Sequence, residues 1–269
     1  MTRIALSAVL AAITLSAQTA HEKLIPTLWT QTSVEWRASC VQAYRNAERM
    51  LDKARKNKSW TAAVEQQGRF KKLPPAVILD IDETVLDNSP GQARQVLKGS
   101  DYVPADFTAW VLEEKAEAIP GALEFCRYAH GQGVRVFYVT NRDGKEEEAT
   151  RRNLARLGFP LDAKEDVVLC RGEKPAWSTS DKSSRRSEIA ARYRILLLVG
   201  DDFGDFLGGV RVSIPRRREM AAPYDSYWGT RWIVLPNPGY GSWEQAFFPE
   251  GAPPDPQARL KAKLALLRP

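Results

Sequence analysis

A chain of 269 residues, 43% hydrophobic and 27% charged, has the composition of an ordinary globular protein, with room for a core domain plus an insertion. Its net charge of +6 suits nucleic acid, a membrane or a small anion, and by itself selects none of them. With only two histidines, His21 and His130, a His-rich zinc site is excluded.

Residues 1–20 hold a lone Arg3, an apolar run over 4–15 and small residues up to Ala17 or Ala20. This reads as a secretory signal peptide, since the run is too short to span a bilayer. Over 29–54, Trp36, Cys40, Tyr44, Ala47, Met50, Leu51 and Ala54 recur at helical spacing and predict an amphipathic helix. A second short helix is expected over 60–67, ended by Pro74-Pro75, so that 21–75 forms an N-terminal helical segment. The apolar run from Ala76 to Leu79 predicts a buried strand, leading directly into Asp80-Ile81-Asp82-Glu83-Thr84-Val85. Loop and helix follow over 90–118, then a helix over 122–129. Further strands are expected over 134–139, 167–170, 196–199 and 232–235, with helices over 146–157, from about Ser180 or Asp181 as N-cap, and over 256–267. Strands alternating with helical stretches predict an α/β fold with a parallel sheet.

Chemistry-bearing residues stand where these strands end. A parallel strand delivers its C-terminal end to the ligand crevice, so acids placed there sit at the functional edge. Asp80 and Asp82 end the first strand, Thr140-Asn141-Arg142 the second, and Asp201 with Asp205 the fourth. Two acids in Asp-x-Asp at a buried strand end need a cation or a cage of donors. One carboxylate can serve as a nucleophile toward phosphorus and the other as acid/base, with Mg²⁺ neutralising the cluster. A Thr hydroxyl with the backbone amides that follow it suits phosphate oxygens. Cys40, Cys126 and Cys170 match no metal-ligand spacing; Cys40 and Cys126 fall on apolar helix positions, and pairing of two of the three stays open. Arg216-Arg217-Arg218 reads as a solvated loop, with no nucleic-acid module beside it.

The stretch Asp80 to Val85 resembles the first motif of the haloacid dehalogenase (HAD) superfamily. Val139-Thr140-Asn141-Arg142 is similar to its second motif, and Gly200-Asp201-Asp202-Phe203-Gly204-Asp205-Phe206 to its fourth. Leu86-Asp87-Asn88-Ser89-Pro90 and Pro236-Asn237-Pro238-Gly239-Tyr240-Gly241-Ser242-Trp243-Glu244 resemble the bacterial class C acid phosphatases of the 5′-nucleotidase type. The resemblance implies a HAD-like Rossmannoid sheet over 76–269 with a small helical cap inserted at about 84–120. It implies phosphoryl transfer through an aspartyl-phosphate, with Asp80 as nucleophile and Asp82 as acid/base. Mg²⁺ would be held by Asp80, Asp82 through its backbone carbonyl, Asp201 and Asp205. Thr140, Asn141 and a lysine would bind the phosphoryl group. Lys182 matches the family's Lys-Ser-x-x-Arg, with Lys174 as the rival. Phe107 and Tyr240 match a pair of rings that sandwich a nucleobase, although Gly91 stands where relatives carry another aromatic.

These implications describe a periplasmic or secreted phosphomonoesterase acting on small molecules, with no partner in duplex nucleic acid. It carries no lipid-modified cysteine at the cleavage point and hence no stable membrane anchor; a homodimer is compatible with all of this. The competing class is a non-catalytic binding or storage protein on the same fold. Such proteins lose the nucleophile, whereas Asp80 is present.

Overall fold

The computed structural model describes residues 21–253 and 255–269; the expected signal peptide lies outside the described residues. Its centre is a parallel sheet of β1 (Pro75–Leu79), β4 (Arg135–Asp143), β5 (Val168–Arg171), β6 (Arg194–Gly200) and β7 (Trp232–Val234). They stand in the order β5-β4-β1-β6-β7, and every pairing is parallel. Chain order reverses on either side of β1, which opens a crevice at the C-terminal ends of β1, β4 and β6. Continuous apolar runs suit strands covered on both faces, and β6 is buried at all its positions.

The helix expected over 29–54 is divided. Ser33 separates α1 (Leu24–Thr32) from α2 (Val34–Lys56): its backbone is extended, and its hydroxyl accepts from the Trp36 amide at 3.1 Å. Of the predicted stripe, Trp36, Cys40, Tyr44, Ala47, Leu51 and Ala54 form the buried face of α2, and Met50 is half-buried at its edge. Full burial of a residue such as Leu51 stabilises the fold by about 1.5–3 kcal/mol. Arg194 Nη1 donates to the carbonyls of Ala54 at 3.1 Å and Asn57 at 2.7 Å, satisfying the helix C-terminus.

The expected helix over 60–67 does not form. Its polar groups bond to the sheet instead: Ala62 N–H donates to Ile195 at 2.8 Å, and Trp60 Nε1 to Leu196 at 2.7 Å. Gln66 Nε2 reaches the Ala190 and Tyr193 carbonyls, and its Oε1 accepts from the Ile195 amide. Tertiary partners for these groups outweigh the local helical pattern.

Short β2 (Leu86–Asp87) and β3 (Glu117–Ala118) pair antiparallel, and between them lie α3 (Ser89–Lys98) and α4 (Pro104–Leu112). Here α1 packs on α3, and α4 on α6 (Glu147–Leu157), after α5 (Ala122–Gly131). The three remaining longer helices are α7 (Ser183–Arg192), α8 (Ile214–Ala221) and, beyond the short α9 (Ser242–Gln245), α10 (Pro256–Leu264). The N-cap of α7 is Lys182 rather than Ser180 or Asp181; Asp181 Oδ1 still accepts from the Ser183 amide at 2.8 Å. The arginine triplet lies on α8, not in a loop, and Arg217 donates to the Val210 carbonyl and Ser242 Oγ at 2.8 Å each. All three cysteines are buried and free. Burial raises the thiols, that of Cys40 to about 12. Among the described residues no helix is long and apolar enough to cross a membrane.

Candidate active site

A cavity of about 910 Å³ opens over the strand ends, and Asp80, Asp82, Phe107, Lys182, Asp201 and Tyr240 line it. Asp80 follows β1 and is tied to the sheet by its amide, which donates to Val199 at 3.0 Å. The chain then turns sharply. The amides of Val85 and Leu86 both return to the Ile81 carbonyl at 2.9 Å, and Glu83 takes a left-handed conformation at φ 57°.

Asp80, Asp201 and Asp205 bring carboxylate oxygens within 4.8 Å of one another. Lys182 Nζ donates to Asp80 Oδ1 and, at 2.6 Å, to Asp205 Oδ1; both pairs are buried. The Thr84 hydroxyl lies 3.1 Å from Asp201 Oδ1 and 3.4 Å from Asp80 Oδ2, and Asn237 Nδ2 donates to Asp201 Oδ2 at 2.8 Å. Gly200 permits this crowding, because a Cβ there would stand 2.2 Å from Asp205 Oδ2. Three acids thus share one ammonium. Burial raises the Asp80 carboxyl to about 7, against the pull of Lys182, and Asp205 and Asp82 add to the rise. Burial also raises Asp201 well above the carboxylate range, helped by Asp80 and Asp205, and raises Asp205 in spite of Lys182. Burial works against the charge of Lys182, yet Asp205 and Asp80 hold it above the usual ammonium range. This surplus of hard oxygen donors fits a Mg²⁺-like cation. Lys174, the rival lysine, is exposed, paired with Glu188 at 2.6 Å and placed over the Trp177 ring.

Asp82 does not join that cluster with its carboxylate. Arg142 Nε donates to its Oδ1 at 2.9 Å, Asn88 Nδ2 to the same oxygen at 2.9 Å, and Thr140 Oγ1 lies 3.2 Å from Oδ2. The turn after β1 swings the Asp82 carboxylate toward β4 and away from the acid cluster, leaving only its backbone carbonyl as the expected contact to a metal. Arg142 also donates to Thr150 Oγ1 at 3.0 Å and lies over the Phe107 ring at 6.0 Å. Asn141 turns its Oδ1 to Arg185 Nη2 at 2.7 Å, and the buried Arg185 also donates through Nη1 to the Thr140 carbonyl. Burial lowers Arg185 to about 10, against the pull of Asp80.

Phe107 and Tyr240 both reach the cavity, from α4 and from the loop after β7. Beside Gly91 the Trp110 ring fills the space a side chain would enter, 3.1 Å from where a Cβ would stand. Its Nε1 donates to Asn88 Oδ1 at 2.8 Å. Sequence reasoning passed over Arg142, Arg185, Thr84 and Asn237 as site residues. Arg142 and Thr84 stood inside quoted motifs and Asn237 between two prolines, whereas Arg185, the first arginine after Lys182, carried no signal.

A family model described as HAD superfamily, subfamily IIIB (acid phosphatase), matches residues 5–243. The chain is similar to the class C acid phosphatase from Bacillus anthracis, at 31% identity and TM-score 0.79, covering 93% of this chain and 98% of that one. A structure of that phosphatase with tungstate bound matches over the same shares, at 30% identity and TM-score 0.80. Acid phosphatase 1 of Solanum lycopersicum is 28% identical over 132 residues, 49% of this chain and 51% of the relative. The chain thus spans about half the length of the curated relatives it matches.

Proposed function

The chain belongs to subfamily IIIB of the HAD superfamily, the acid phosphatases, and from that premise we propose that it is a secreted, Mg²⁺-dependent hydrolase of phosphomonoesters, 5′-nucleotides and aryl phosphates among them. The observation that carries the reading is Asp80: a strand-end carboxylate, buried at the cavity floor and held by Lys182 beside two further acids. A relative solved with tungstate bound supports oxyanion binding by this fold, since tungstate is tetrahedral like phosphate.

In the proposed reaction an Asp80 oxygen attacks phosphorus and the bond to the leaving oxygen breaks. Asp82 gives that oxygen its proton, then takes one from the water that hydrolyses the aspartyl-phosphate. Arg142, Asn88 and Thr140 orient Asp82 for both steps. Lys182 and the backbone beyond Thr140 receive the phosphoryl oxygens, with Arg185 supporting that turn from beneath. Asp80, Asp201 and Asp205 would hold Mg²⁺, which when bound supplies charge neutralisation between the acids and a dianionic ester. Phe107 and Tyr240 would flank an aromatic leaving group, worth about 1–3 kcal/mol per stacked base. The apolar run over 4–15 supports export.

The test is phosphate release from an aryl phosphate, 5′- and 3′-nucleotides and a small aliphatic phosphate. Activity is expected with Mg²⁺ and absent after exhaustive chelation. No release from any ester under either condition would sink the proposal.

A further inference from the structure

Glu83 is buried, yet it ties together three segments that meet nowhere else in sequence. Its Oε1 accepts from the Asn88 amide and from Gln92 Nε2, each at 3.1 Å, at the start of α3. Its Oε2 accepts from the Tyr240 hydroxyl, in the loop after β7. The left-handed backbone of Glu83 is an uncommon state for a residue with a side chain. It turns the carboxylate of the residue next to Asp82 away from the acid cluster and toward Tyr240. The loop is also pressed against α3. A Cβ at Gly239 would stand 3.0 Å from Gln92 Oε1, the same amide whose nitrogen serves Glu83. The Lys23 ammonium lies over the Tyr240 ring, 5.7 Å from its centroid, and both residues line the cavity.

We infer that Glu83 is a positioning residue: it anchors the hydroxyl of Tyr240 so that the ring stands as a fixed wall for an aromatic leaving group. This rests on the phosphomonoesterase reading for its biological meaning, but not for its test. A ring held at one end presents its face without the loss of rotational freedom that a free side chain incurs on binding. The anchor also links the first acidic motif, the α3–α4 insertion and the β7 loop, so the wall and the nucleophile share one support.

The experiment is calorimetric binding of adenosine, an aromatic leaving group without phosphate, to the full chain in chelator, so turnover is not required. Wild type is expected to bind, and Tyr240→Phe, which keeps the ring and loses only its tether, should weaken binding about three- to tenfold, the value of one net hydrogen bond. Glu83→Gln should weaken it by a similar factor, and the double variant no further, because both changes cut one link. Unfolding of Glu83→Gln would leave Tyr240→Phe to decide alone. Unchanged adenosine affinity in Tyr240→Phe, additive losses in the double variant, or no binding by wild type would each overturn the inference. An equal fall in affinity for inorganic phosphate would mark a general loosening of the site and overturn it as well. Failure of the phosphatase reading shows separately, as wild-type protein that releases no phosphate.

Discussion

Asp80 and Asp82 stand one residue apart and end in opposite surroundings. Asp80 joins Asp201 and Asp205 around a single Lys182, three acids to one cation. Asp82 faces Arg142, Asn88 and Thr140, one acid among donors. Alternation along a strand would put residues i and i+2 on the same face. The turn that returns Val85 and Leu86 to Ile81 breaks that rule directly after Asp80. The first side carries an excess of negative charge that a divalent cation relieves, and the second is already balanced. In the proposed reaction one motif would supply both a nucleophile inside the acid cluster and a proton carrier whose carboxylate stands apart from it, and the distinction is open to attack from either side.

The largest effect is expected from Asp80→Asn, which keeps the size and removes the attacking charge. Turnover should fall at least about a thousandfold, as for other essential groups. Asp82→Asn should also be severe, but only Asp80→Asn should alter Mg²⁺ affinity, read by calorimetry. Near-normal phosphate release by Asp80→Asn would remove the covalent route.

Lys182→Met takes away the only ammonium among the three acids. In chelator it should destabilise the protein by about 3–5 kcal/mol in urea unfolding, the usual cost of leaving a buried charge unpaired. Saturating Mg²⁺ should recover part of that loss, since a ligand bound only by the folded state stabilises it. Arg142→Met should lose less, about 1–3 kcal/mol, because Asn88 and Thr140 remain beside Asp82. Equal losses for the two variants would erase the comparison.

The smallest effect concerns pH. A carboxyl raised by folding stabilises the fold while protonated. That contribution is complete below the ordinary value of 3.8 and is lost as pH rises through about 7 for Asp80. In chelator, thermal stability should therefore rise when pH falls from 7.5 to 5.5, by about 2–4 °C for each kcal/mol gained. Mg²⁺ should flatten the dependence by competing with protons for the same oxygens. A melting temperature that falls over this window in chelator would show that the acid cluster is not short of positive charge.

Much of this was decided by local chemistry. Apolar runs ending in acids announced a parallel sheet and its working edge, and the spacing from Trp36 to Ala54 announced the buried face of α2, because burial and periodicity are properties of neighbouring residues. Thr140, Asp201 and Asp205 were legible because they stand just beyond the predicted strands, whereas Lys182 was picked out only through the resemblance of Lys-Ser-x-x-Arg. Other features are not local. Gln66 and Trp60 gave up a helix for bonds to the β6 region about 130 residues away in sequence. The Asp-x-Asp pair carried two expected roles in sequence, but only the turn after β1 gave the two carboxylates separate surroundings. Arg142, Arg185 and Glu83 were charged residues like many others, and only packing decided that they lie buried against Asp82, the Thr140 carbonyl and Tyr240. A sequence lists which groups carry charge, but the three-dimensional arrangement sets which charges meet out of water, where their interaction is strong enough to govern chemistry.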